Sequence, residues 1–474
     1  MMLSAATPVV LLAVLHAVDN VVPACLADSF YGIFGQQSLF KLTDVTCLDF
    51  LPSTSNEGLL VPLPFHQQQL VWIQESSIDD SLRTPKYESE VAQFLGQFHA
   101  NEPLSSSDAQ TVLFDHGASL VHRGDHSAIL AVVDEHAVDA LTMYLPRFWK
   151  AAPIPASPVS FLPVPGTAVQ HVRDLLASLH FDPLIAGIVN GISVEQLRKD
   201  IRFLTNEDGE SGIVSRHSFH EGSRVAARWI KQQFEETGAS CRLMSFLDGF
   251  APNVICRYNA TTDTSNIVLI SGHYDSRGSF GLERAPGGND DGSGTISVLS
   301  IARRIKQTGI TFRSNVELVA FAGEEQGLRG SWAYAYELRE KGANITLMIQ
   351  GDMLAYHVPG EPLQLGLPQY IGTPEVAQFA ANISAIYSPE LKIGLTPVCC
   401  SDHQSFHQQG FPATHFFERI TRIADPMYHN SGDVSDRPGY DLHQVRSICK
   451  VQFATLLHAA GFDLSTGTSL EDSD

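Results

Sequence analysis

A chain of 474 residues exceeds what one ordinary hydrophobic core holds, so two domains are the first expectation. Its 44% hydrophobic and 18% charged content is that of a folded globular protein. A formal net charge of −21 repels nucleic acid and anionic membrane surfaces, which removes both as expected partners.

The N-terminal stretch MMLSAATPVVLLAVLHAVDNVVPACLADS carries an apolar run of signal-peptide length, too short to span a membrane comfortably. Residues 1–27 are the expected leader, with Ala24 or Ala27 before the cut, and no later segment reads as transmembrane. Glycosylation tripeptides at Asn259, Asn344 and Asn382 fit a secretory route, so the expectation is a secreted, extracellular glycoprotein. Cys25 would leave with the leader, and Cys47, Cys241, Cys256, Cys399, Cys400 and Cys449 would remain. Cys241 and Cys256 lie in two strand-like runs, SCRLMSF and NVICRY, joined by a turn at LDGFAP, which makes a disulfide between them plausible. The absence of C-x-x-C argues against a cysteine-held zinc.

The next elements are strand QQLVWIQE, helix YESEVAQFLGQFH, strand AQTVLFDH, strand HSAILAVVD, helix EHAVDALTMYL and strand PVSFLPV. This order is the split βαβ, or ferredoxin-like, pattern, and predicts a small α+β domain over 28–165. No cluster of residues able to do chemistry falls within it. The domain is therefore either structural or a propeptide that assists folding or blocks the site. The proline-rich stretch WKAAPIPASPVSFLPVPG, residues 149–166, marks the border.

From 166 to 474, helical patterns alternate with the apolar runs NIVLIS, VELVAFA, ITLMIQ and ATHFF. These runs are continuous rather than alternating, which predicts strands covered on both faces by helices. The helix GSGTISVLSIARRIKQTG places Ile296, Leu299, Ala302 and Ile305 on one face. The expectation is an α/β sandwich around a mainly parallel sheet.

The ends of these strands carry the chemistry. NIVLIS runs into His273 and Asp275, VELVAFA into Glu324 and Glu325, ITLMIQ into Asp352, and ATHFF into Glu418 and a loop with His429. The glycine-rich turn APGGNDDGSG adds Asp290 and Asp291. Ligands of open α/β sheets collect outside the carboxyl ends of the strands, where all of these residues fall. Histidines and carboxylates converging there suit zinc, or two metals sharing a carboxylate roughly 3.5–4 Å apart. Burying a carboxylate costs several kcal/mol, roughly, unless it is paired, protonated or metal-bound. Two adjacent glutamates at one strand end therefore read as one ligand and one proton acceptor. NDDGSG could alternatively be a plain helix cap or a calcium loop, and Asp352 a helix cap. Glu418 reads as structural, and Asp402, His403 and His407 in SDHQSFH as pocket wall or packing.

At SGHYDS, APGGNDDGSG, FAGEEQGLRGS, IQGDM, SDHQSFHQQGFP and MYHNSGD, in that order over residues 200–462, the chain resembles the co-catalytic di-zinc aminopeptidases, which include secreted leucyl aminopeptidases and glutamate carboxypeptidases. The resemblance implies the zinc exopeptidase fold and two Zn(2+) ions per subunit. His273, Asp290 and Asp352 would hold one ion and Asp290, Glu325 and His429 the other. Glu324 would be the general base, Asp275 would orient His273, and Asp291 would support Asp290. The implied activity is a secreted metalloprotease that releases N-terminal, apolar residues from peptide or protein substrates. The alternatives are a carboxypeptidase or amidohydrolase on the same fold, a single-zinc glutaminyl cyclase, and a non-catalytic binding homologue. Two departures bear on the pocket: Cys399 and Cys400 are adjacent where some relatives space two cysteines, and Val398 stands where some have a tyrosine.

Overall fold

A computed structural model describes residues 10–15, 26, 28–42, 46, 59–63, 69–99, 118–132, 138–139, 141–160, 162–278 and 284–464. The chain divides into two compact units, 1–162 and 163–474, parting just before the expected border at 165.

The first unit holds two four-stranded antiparallel sheets. β1 (Val10–Leu15), β2 (Phe30–Phe34), β3 (Gln37–Leu42) and β4 (Leu59–Pro62) form one, in the order β2-β3-β1-β4. This sheet departs from the expected leader: β1 lies within it, where the apolar run VLLAVL pairs with β3 and β4. β5 (Gln69–Glu75), β6 (Ser119–Arg123), β7 (Ser127–Val132) and β8 (Trp149–Pro153) form the other, in the order β6-β7-β5-β8. That order is what a split βαβ unit produces, with β5 seated between the two later strands. The helix Pro85–Gly96 starts two residues before the expected Tyr87, its first turn set by Pro85 and by Thr84 Oγ1, which accepts Tyr87 N–H at 3.3 Å. Leu11, Phe34, Leu39, Trp72, Ile129 and Ile154 share one apolar cluster in this unit.

The last expected strand is misplaced. The fourth strand of the sheet is WKAAP, 149–153, whereas PVSFLPV, 158–164, forms none among its described residues. Pro155, Pro158 and Pro163 supply no N–H to a ladder, while Trp149 and Ala151 alternate inward beside β5. The expected strand AQTVLFDH lies outside the described residues, as do residues 135–137 and 140 of the helix expected at EHAVDALTMYL; of the remainder, Val138 and Asp139 are helical and Leu141–Met143 form a short 3₁₀ turn.

The second unit is built on β9 (Ser240–Met244), β10 (Asn253–Tyr258), β11 (Asn266–His273), β12 (Ile310–Phe312), β13 (Asn315–Phe321), β14 (Asn344–Gly351), β15 (Gln364–Pro368), β16 (Lys392–Thr396), β17 (Ala413–Phe416) and β18 (Phe462–Leu464). Six of them make the central sheet, ordered β17-β14-β11-β13-β10-β9; β11 is parallel to β13 and β14, β14 to β17, and β10 antiparallel to both its neighbours. Burial is nearly continuous along β11, β13 and β14, as expected for strands with helices on both faces. Ile296, Leu299, Ala302 and Ile305 of helix Gly294–Thr308 are buried against one face, and Leu338 of helix Arg329–Glu340 against the other. Gly272 lets the first of these helices approach: a Cβ there would lie 2.7 Å from the Gly294 carbonyl carbon. Cys241 and Cys256 sit opposite each other on β9 and β10 and are disulfide-bonded. The adjacent Cys399 and Cys400 are also bonded, and Cys449 is a buried thiol. Among the described residues no helix is long and apolar enough to cross a membrane.

Candidate metal centre

Parallel register brings the strand ends level. His273 ends β11 opposite Phe321, the last residue of β13, and Ser271 pairs with Gln350 of β14. The chain leaving β13 therefore delivers Glu324 and Glu325, and the residue after β14 is Asp352, at one edge. Asp290 comes from the irregular turn Gly288–Ser293 ahead of helix Gly294–Thr308, and its peptide to Asp291 is cis. His429 comes from the loop after β17 with φ of +52°, and Met353 holds φ of +54°. Left-handed backbone at non-glycine residues beside a site is a strain the surrounding structure must hold in place.

These side chains form two groups that share Asp290: His273, Asp290 and Asp352, and Asp290, Glu325 and His429. His273 Nε2 lies 3.2 Å from Asp290 Oδ1 and 3.6 Å from Asp352 Oδ1. His429 Nε2 lies 3.1 Å from Asp290 Oδ2 and 3.0 Å from Glu325 Oε2. Each oxygen of Asp290 thus faces a different group. Glu324 belongs to neither; its Oε2 is 3.9 Å from His273 Nε2.

The donor set fits metal. Ligands bonded at about 2.0–2.1 Å in a tetrahedron stand about 3.3 Å apart, and the histidine–carboxylate separations bracket that value. All five residues are buried, yet His273 Nε2, Asp290 Oδ2 and both Glu325 carboxylate oxygens make no hydrogen bond. Buried polar atoms without partners are costly, and a cation would satisfy them together. Charge points the same way. Burial pushes the Asp291 carboxyl well above its ordinary range, with His273 opposing and Asp352 and Asp290 adding to the rise. Burial also acts on Asp290, but the facing imidazoles of His273 and His429 outweigh it and hold that carboxyl far below the usual range. Burial disfavours protonation of His273, and the carboxylates of Glu324 and Asp352 outweigh it, raising its pKa well above 6.5. Protons and divalent ions compete for such a cluster.

The supporting contacts are specific. Asp275 lies beside the imidazole of His273, whose Nδ1 is 3.1 Å from the Asp275 backbone oxygen and 3.6 Å from Oδ1, while the Asp275 carboxylate accepts the N–H groups of Glu324 and Glu325, each at 3.2 Å. Asp291 accepts His273 N–H at 3.0 Å, Gly294 N–H at 2.8 Å and Met353 N–H at 3.2 Å, tying three elements to one carboxylate. Glu418 is structural, accepting Tyr356 N–H at 2.6 Å and Asn289 Nδ2–H at 3.2 Å. Asp402 and His403 are fully buried; burial pushes Asp402 up to about 7 and holds His403 well below 6.5.

Several supports carried no assignment from sequence. Asp433 accepts the N–H groups of Asn289 and Asp290 at about 3.0 Å, and Arg437 pairs with both Asp433 at 2.9 Å and Asp425 at 2.5 Å. Asp433 closes the motif MYHNSGD, four residues after His429, which was its one visible signal. Arg216, wholly buried, donates to the carbonyls of Leu204, Tyr274, Pro286 and Gly287, and so clamps the turn ahead of Asp290. Arg277 Nη1 lies 3.0 Å from His429 Nδ1. Nothing in the local sequence marks either arginine.

A parallel-centred α/β sheet with two carboxylate–histidine groups at its carboxyl edge is the architecture of a metallo-exopeptidase. Residues 253–451, which contain both groups and Glu324, match the family model Peptidase family M28. A probable leucine aminopeptidase of Arthroderma otae is 29% identical over 267 residues, covering 53% of this chain and 69% of that protein. Leucine aminopeptidase 1 of Sclerotinia sclerotiorum is 29% identical over 276 residues, covering 52% and 70%. In fold, the chain is similar to the LapA aminopeptidase of Legionella pneumophila (TM-score 0.57, 16% identity, 84% of this chain and 100% of that one). It is likewise similar to LapB from the same organism (TM-score 0.56, 18% identity, 83% and 99%).

Proposed function

We propose that the chain is a secreted zinc aminopeptidase that removes apolar residues from the amino terminus of peptides. The observation that carries this reading is Asp290, one oxygen turned to each ligand group, with Glu324 beside both and a member of neither. His273, Asp290 and Asp352 would hold one zinc, and Asp290, Glu325 and His429 the second. Zinc there would supply Lewis-acid polarisation of water and of the scissile carbonyl, and a seat for the unprotonated terminal amine. Glu324 takes a proton from the attacking water as the carbon–oxygen bond forms. It returns that proton to the leaving amine as the carbon–nitrogen bond breaks. Asp275 fixes the backbone from which Glu324 and Glu325 project. Met353 and Phe417, both buried at the edge on the β14 and β17 side, supply apolar surface for the terminal side chain.

A carboxypeptidase needs cationic groups with donors left for a substrate carboxylate. Arg216 gives its donors to four backbone carbonyls, and Arg437 pairs with Asp425 and Asp433, so neither offers such a grip. Secretion is supported by the Cys241–Cys256 disulfide and by exposed asparagines at all three glycosylation tripeptides. The first unit serves as a structural or propeptide domain.

Glu324→Gln keeps the shape and removes the base. Hydrolysis of leucinamide by this variant is expected to fall about 10²–10⁴-fold while its zinc content stays at the wild-type level. Near-normal turnover would remove Glu324 from the mechanism.

A further inference from the structure

The connection between β9 and β10 carries apolar surface to the Glu324 side of the site. β10 runs antiparallel to β13 with Val254 opposite Ala320, so residues 245–252 arrive at the edge where the chain leaves β13 for Glu324. Phe246 and Phe250 close on the backbone of Gly323: a Cβ there would lie 3.2 Å from each ring. Phe219 meets Phe250 edge to face with centroids 4.6 Å apart. Ser218 joins the two loops to the strand end, its Oγ accepting Gly323 N–H at 3.0 Å and its carbonyl accepting Ala251 N–H at 2.9 Å. Phe219 and Phe246 remain half-exposed, and Leu247 is 44% exposed. One exposed leucine is ordinary, but here it follows Phe246, which is held against Gly323, the residue preceding Glu324, while Phe219 packs on Phe250 beside it.

Resting on the aminopeptidase reading above, we propose that Phe219, Phe246 and Leu247 form the subsite for the first residue on the leaving side of the scissile bond. The subsite takes apolar and aromatic side chains. Its occupant follows from the chemistry: Glu324 hands its proton to the leaving amine, so the leaving residue emerges on Glu324's side. The terminal residue lies toward Met353 and Phe417, across β11 in the sheet order β17-β14-β11-β13-β10-β9. The enzyme therefore reads two side chains, one on each flank of the metal site.

The test uses the full chain with zinc and compares initial leucine release from leucinamide, Leu-Gly-amide, Leu-Phe-amide and Leu-Lys-amide. Wild type is expected to favour Leu-Phe-amide over Leu-Gly-amide about tenfold in kcat/KM. Phe246→Ser and Leu247→Asp are each expected to bring that ratio to within about twofold of one. Leu247→Asp should also raise Leu-Lys-amide over Leu-Gly-amide about threefold, a gain that a merely loosened loop does not give. Leucine release from leucinamide together with equal use of Leu-Gly-amide and Leu-Phe-amide, or variants that keep the wild-type ratio, overturns the subsite. A wild type inert toward leucinamide and all three dipeptide amides, both intact and after limited proteolysis between the two units, overturns the aminopeptidase reading, and the subsite with it.

Discussion

Glu324 and Glu325 are covalent neighbours with different surroundings, and the difference is set by backbone. Asp275 accepts both of their N–H groups, which fixes where each side chain starts. Glu325 Oε2 then faces His429, whereas Glu324 Oε2 stands 3.9 Å from His273 outside either ligand group. Sequence made the doublet conspicuous because two carboxylates at the end of an apolar strand demand an explanation. The histidines around them are less alike than their letters suggest. His217, beside Ser218, is 6% exposed; its Nδ1 is 3.4 Å from Phe219 N and its Nε2 faces the Gln326 side-chain amide at 3.3 Å. Burial depresses its pKa to about 4, with Asp275 opposing the fall. Below an unfolded-state value near 6.5 the unfolded chain takes up a proton that the folded chain refuses. Stability is therefore expected to decline as pH falls from about 6.5 towards about 4, and His217→Gln should flatten part of that slope in denaturation midpoints measured across this range. An identical slope in the variant would show that His217 does not carry the effect.

Elements decide how firmly the ligands are held. The turn bearing Asp290 is fixed by Asp433, and Asp433 by Arg437, so the shared carboxylate depends on side chains that do not touch it. Asp433→Ala is expected to weaken zinc binding about 10–100-fold, read by competition with a chelating dye, while the circular dichroism spectrum stays that of wild type. Unaltered zinc affinity would reduce Asp433 to packing. On the far edge of the sheet, the Cys241–Cys256 bridge closes a loop with a sequence separation of 15. Replacing both cysteines with serine should lower unfolding stability by about 2–4 kcal/mol, seen as an earlier chemical denaturation midpoint. The strands of the second unit were legible because their apolar runs are unbroken, and the pair of cysteines because the hairpin spacing sets them opposite each other. Strand β8 was not: WKAAP is short and half-buried, and a longer, more apolar run nearby drew the assignment despite its prolines. The clamp by Arg216 was invisible for a different reason, since it bonds only to carbonyls, which every residue possesses.

At the scale of the molecule, the two units carry different kinds of information in their sequences. The second concentrates its functional groups at or just beyond the ends of β11, β13, β14 and β17 and in the turn Gly288–Ser293, so apolar runs followed by histidines and carboxylates mark one edge of the sheet. Among its described residues the first holds no such cluster, and half of its strands lie before residue 63, where short apolar segments resemble a leader. Removal of residues 1–27 would take β1 out from between β3 and β4, so the two readings of this segment differ in a measurable way. If the leader is cut as expected, amino-terminal sequencing of protein recovered from the medium starts at Cys25 or Asp28; a start at Met1 or Met2 would place β1 in the mature sheet. In the other unit, side chains far apart in sequence meet in two groups that we propose hold a pair of divalent ions. This central claim is tested most directly by measuring bound zinc and leucinamide hydrolysis together, as zinc is returned to exhaustively chelated protein. Activity should be absent at zero bound metal and return as the content rises to two ions per chain. Full hydrolysis by metal-free protein would contradict it.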